Sequence, residues 1–119
     1  MIAVGGAAGA IARYQVAASI QSRIPSTFPW GTFVVNVSGC LIMGFAMAVL
    51  AQKLSADQNW RFFLPIGFIG AYTTFSTFEF ETYRAMTDGA WLAAGGNVVA
   101  SVVVGFIALW LGTAVARLI

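Results

Sequence analysis

The chain contains no histidine, a single cysteine and three prolines in 119 residues, and acidic and basic side chains together make up only 8% of it. Without histidine the commonest general base and metal ligand is missing. Ser–His and Cys–His hydrolases and histidine-ligated metal centres are therefore excluded. The lone cysteine, Cys40, lies between Gly39 and Leu41; it cannot close an intrachain disulfide, and we read it as a packing residue. A net charge of +2 scattered along the chain is not the concentrated basic face that binds nucleic acid, so no nucleic-acid partner is expected. Soluble domains carry roughly 25% charged residues, and this shortfall excludes an ordinary soluble fold.

What fills the space is apolar: 60% of residues are hydrophobic and the mean hydropathy is +0.86. A bilayer-spanning helix needs about 20 mostly apolar residues. The apolar runs predict an all-α membrane protein with a single domain over 1–119 and four transmembrane helices, at about 2–22, 31–52, 60–86 and 90–117. The first run lacks a basic leading segment and has Arg13 inside it, so it reads as a retained helix rather than a signal peptide. Pro25, Pro29 and Gly31 punctuate the first connection, "KLSADQNWR" forms the second, and "TDGAW" makes the last turn.

Four spans put both termini on one side. Lys53, Arg61 and Arg117 then face Arg23 and Arg84 across the membrane, a near balance that gives the positive-inside rule little to act on. Insertion in both orientations is expected, with two opposed copies pairing about a two-fold axis in the membrane plane. Four short helices also enclose little space, which favours an oligomer. Small residues offer contact surfaces: Gly5, Gly9, Arg13 and Ala17 recur every four residues, and Ala94, Ser101 and Gly105 nearly do.

Several polar residues are ones a bilayer would not ask for. Thr32, Asn36, Cys40 and Gly44 form a stripe on the second helix, and the Asn36 amide cannot remain unpaired in hydrocarbon. Asn97 and Ser101 share a face of the fourth. In the third, "GAYTTFSTFEFE" interleaves hydroxyls with phenylalanines. Gly67, Gly70 and the residues up to Thr74 predict a break in mid-membrane, where freed carbonyls are material for a cation site. Phe75 and Phe78 are expected on one face, and Thr73, Ser76, Thr77 and Phe80 on another. Phenylalanine edges are electropositive and can face an anion while neutral donors complete its shell. Within the deep segments there is one base, Arg13, and no acid. Glu79, Glu81 and Arg84 lie toward the end of the third helix, with Glu81 expected to pair with Arg84 or Arg13. Neutral donors without a buried carboxylate suit a small anion better than a proton-coupled cation.

At these residues the chain resembles the Fluc/CrcB family of fluoride channels. The matching segments, "GGAAGAIARY", "GTFVVNVSGC", "GFIGAYTTFSTFEFE" and "NVVASVVVG", occur in order along the whole chain. The resemblance implies an antiparallel dual-topology homodimer in the cell inner (plasma) membrane, multi-pass, that passively exports fluoride and so confers fluoride resistance. It further implies that Phe75, Phe78, Asn36 and Ser101 line the fluoride pore with Thr77 and Thr32, and that Arg13 and Glu81 sit at the pore ends. The backbone carbonyls of Gly70 and Thr73 would hold a structural Na+ at the dimer interface. Two positions depart from the family pattern: Asn97, where some members have tyrosine, and Cys40.

Two rival readings compete. A small dual-topology multidrug exporter depends on a glutamate in the first helix, where this chain has Arg13 and no acid. A non-conducting structural membrane subunit would not need polar stripes on several helices. An enzyme is not expected, since no nucleophile has a base partner and no metal-ligand cluster occurs.

Overall fold

The computed structural model describes residues 1–53 and 57–119; part of the expected second connection, residues 54–56, lies outside the described residues. Among the described residues all regular structure is helical: α1 (Ile2–Arg23), α2 (Trp30–Gln52), α3 (Gln58–Arg61), a π-helical stretch (Phe62–Ile69), α4 (Gly70–Tyr72), α5 (Phe75–Thr87) and α6 (Trp91–Ala116). With 23 and 26 residues, α2 and α6 rise about 35 and 39 Å. These two helices are long and apolar enough to cross a membrane.

Glycines set how closely the helices approach. A Cβ at Gly44 would strike the Leu109 carbonyl, one at Gly112 the Leu41 carbonyl, and one at Gly105 would touch Cys40 Sγ at 3.5 Å. The α2–α6 contact is thus backbone against backbone, fastened by Thr113 Oγ1 donating to Gly44 O at 3.3 Å. Likewise Gly5 and Gly9 of α1 lie against the Phe63 and Phe68 carbonyls, and Gly31 against Ala17. The small-residue stripes read as contact surfaces are therefore used inside the chain, where close approach replaces the missing hydrophobic drive between helices.

The third segment opens within the stretch expected to break, but only at its far end. Gly67 and Gly70 do not break it. Pro65 sits inside a π-helical stretch; proline lacks the N–H a helix needs, and a wider turn accommodates it. The break comes later: Thr73 (φ −81°, ψ 153°) and Thr74 (φ −147°, ψ 119°) are extended. Thr73 consequently belongs to a different segment from Ser76, Thr77 and Phe80 and shares no helical face with them. Ser76 and Phe80 are exposed, whereas Thr77 is half-buried.

Candidate functional site

The break at Thr73–Thr74 leaves backbone groups that the helix no longer pairs, and neighbouring side chains take them up. Asn36 on α2 does so twice: its Oδ1 accepts from Thr74 N–H at 2.8 Å and its Nδ2 donates to Thr74 O at 3.0 Å. The amide thus imitates a strand partner across the gap. From α1, Arg13 Nε donates to Ala71 O at 3.1 Å, placing a cation at the carbonyl end of the preceding helical segment, where the dipole favours it. Tyr72 is buried with its hydroxyl 3.0 Å from Ser38 Oγ on α2, and its ring stacks on Phe68 at 5.9 Å. Thr73 closes α4 by donating both N–H and Oγ1 to Ile69 O. Thr74 caps α5, its Oγ1 accepting from Thr77 N–H at 3.3 Å while donating to Thr77 Oγ1 at 3.1 Å.

Two cavities meet at this seam. The first, about 320 Å³, is lined by Asn36, Thr73, Thr74, Phe75, Phe78 and Ser101 together with Cys40 and apolar residues of α2 and α6. It brings together Asn36, Phe75, Phe78 and Ser101, four of the residues anticipated for one path. Phe75 and Phe78 lie 5.8 Å apart with rings tilted by 39°; Phe78 is 7% exposed and Phe75 75%. The second cavity, about 280 Å³, is lined by Arg13, Thr32, Thr77 and Glu81, and again by Thr74. The anticipated residues therefore divide between two chambers that share Thr74.

Glu81 is held differently from expectation. Thr32 Oγ1 donates to Glu81 Oε1 at 3.0 Å, Oε2 is buried without a hydrogen-bond partner among the described residues, and Arg13 is bonded to the Ala71 carbonyl instead. Thr32 on α2 thus supplies the hydrogen bond expected from a guanidinium, while the Arg84 charge acts on the carboxylate from farther away. Sequence reasoning also missed Thr82 and left Asn97 without a task. Asn97 is 1% exposed and bridges Thr82 and Ser101. The four-residue spacing of Asn97 and Ser101 pointed to their contact, whereas nothing in the sequence joined Thr82 to them.

A family model described as "CrcB-like protein, Camphor Resistance (CrcB)" matches residues 1–113. Several relatives carry the name "Fluoride-specific ion channel FluC". That of Solibacter usitatus is 47% identical over 117 residues, covering 98% of this chain and 96% of the relative. That of Acidobacterium capsulatum is 47% identical over 114 residues, covering 96% and 91%. A third, from Nitratidesulfovibrio vulgaris, is 43% identical over 123 residues, covering 100% and 96%.

Proposed function

The chain belongs to the CrcB-like family, and from that premise we infer that it is a fluoride-specific ion channel of the membrane, not an enzyme. The observation that carries the reading is the convergence of Asn36, Phe75, Phe78 and Ser101 on one cavity. Fluoride gives up water only where other donors replace it, and conduction requires that it also leave. Phenylalanine edges and neutral amide or hydroxyl groups meet both needs, because each attracts the ion weakly and none fixes it. Thr74 lines both this cavity and the one holding Thr32, Thr77, Arg13 and Glu81, so it would carry the ion across the seam. Arg13 would draw anions to that end while Glu81 offsets its charge. Loss of fluoride from the cytoplasm down its gradient accounts for resistance. Liposomes holding the purified protein should lose fluoride rapidly and chloride far more slowly, as read by ion-selective electrodes. A folded protein that releases neither ion would remove the reading.

The four-span, opposed-dimer arrangement belongs to the same proposal. Phe75, Val102, Phe106 and Trp110 are 62–75% exposed on a single chain, an apolar surface that a second copy would cover along with the first cavity. Nearly balanced basic residues permit both orientations in the inner membrane. A C-terminal tag should accordingly be reached by an impermeant reagent from both sides of the membrane. Labelling from one side only would exclude dual insertion.

The residues fit a structural Na+. No cluster of three or more Cys, Asp or Glu able to hold a metal occurs among the described residues, so carbonyl oxygens would have to serve. The Thr74 N–H that a continuous helix would send to Gly70 O goes to Asn36, and the Thr77 N–H that would serve Thr73 O goes to Thr74 Oγ1. Hard oxygen donors of this kind suit an alkali cation. Gly70 and Thr73, with their counterparts from a second copy, would hold it, and its charge would favour anions nearby without a base in the path.

A further inference from the structure

A buried polar chain leads away from the first cavity. Ser101 Oγ donates to Asn97 Oδ1 at 3.0 Å, Asn97 Nδ2 donates to Thr82 Oγ1 at 2.9 Å, and Thr82 Oγ1 donates to Phe78 O at 2.8 Å. A hydroxyl has one proton to give. The Thr82 proton is committed to the Phe78 carbonyl, so toward Asn97 this oxygen can only accept. That turns the Asn97 NH2 group to Thr82 and its carbonyl to Ser101. Ser101 must then be the donor in its bond to Asn97, and its proton points away from the cavity that Ser101 lines.

Building on the fluoride-channel reading, we propose that Asn97 and Thr82 are positioning residues that hold the Ser101 proton back until a strong hydrogen-bond acceptor claims it. The chain can run in reverse. If the amide turns over, Asn97 Nδ2 donates to Ser101 Oγ, Thr82 donates to Asn97 Oδ1, and the Ser101 O–H points to the ion. Three hydrogen bonds replace three, and no proton leaves its heavy atom. The Phe78 carbonyl loses only its extra bond, since the Thr82 N–H remains its helical partner. Reversal rewards an ion according to its strength as an acceptor, which favours fluoride over chloride. Competition from Asn97 also keeps the ion weakly held and free to leave.

Thr82→Val tests this. Valine offers the Asn97 NH2 group no acceptor, and a buried unpaired N–H is tolerated less well than an unpaired carbonyl, so the amide turns toward Ser101 and frees its proton for the cavity. The fluoride concentration giving half-maximal flux should fall about three- to tenfold, the worth of one neutral hydrogen bond, and maximal flux should fall with it because release slows. Thr82→Ser should behave as wild type. In a Ser101→Ala background, Thr82→Val should change neither quantity; Thr82→Ala deletes the same hydroxyl and serves if valine packs poorly. Lower maximal flux at an unchanged half-saturating concentration, or an equal effect with and without Ser101, would overturn the proposal. A wild-type protein that passes no fluoride would instead remove the channel reading beneath it.

Discussion

Replacing Asn36 with leucine should reduce fluoride flux about a hundredfold and lower the melting temperature of the purified protein. Asn36 alone supplies both bonds of its side chain to the Thr74 backbone. Leucine has the same branched outline but no polar atom, so the Thr74 N–H and C=O would be stranded in a half-buried seam. Each unpaired group costs about 1–3 kcal/mol, and 2.8 kcal/mol corresponds to about a hundredfold in an equilibrium. The chain has a way to escape that cost, since Thr74 N–H can return to the Gly70 carbonyl as a continuous helix would have it. That escape would close the gap on which both the proposed pathway and the proposed cation site depend. Asn36→Asp keeps an acceptor for Thr74 N–H but loses the donor to Thr74 O, and should fall between leucine and wild type in stability. Flux and melting temperature equal to wild type in Asn36→Leu would show that the bridge is dispensable.

Phe78→Ile should lower fluoride flux about tenfold while the protein remains folded. An aromatic quadrupole contact is worth about 0.5–1.5 kcal/mol, and its upper end is about a factor of ten. Isoleucine retains most of the buried bulk, so the void left behind is small and the stability loss should stay at about 1 kcal/mol. Phe75→Ile should lower flux in the same direction with less effect on stability, because Phe75 is 75% exposed on the single chain and Phe78 only 7%. Size-exclusion behaviour and a thermal melt separate loss of conduction from loss of fold. Wild-type flux in both variants would remove the aromatic edges from the mechanism.

The helical class, the apolar composition and the polar stripes were determined by the sequence alone, because 3.6-residue periodicity places side chains on a face of their own helix. For the same reason Asn36 was legible as a residue that must find a partner, and Asn97 and Ser101 as neighbours. Periodicity does not say which helix lies opposite a face. Only the tertiary structure decided that Asn36 meets the Thr74 backbone, that Thr32 hydrogen-bonds Glu81, and that Thr82 completes the chain from Ser101. The break falls at the threonine end of the expected stretch and not at its glycines for a related reason. Gly67 is held against α1 near Ile2 and Pro65 is absorbed in a π-helical stretch, so the chain opens where Asn36 and Thr74 Oγ1 replace the lost helical bonds. Backbone groups carry no residue-specific signal, and their partners are known only once the helices are packed.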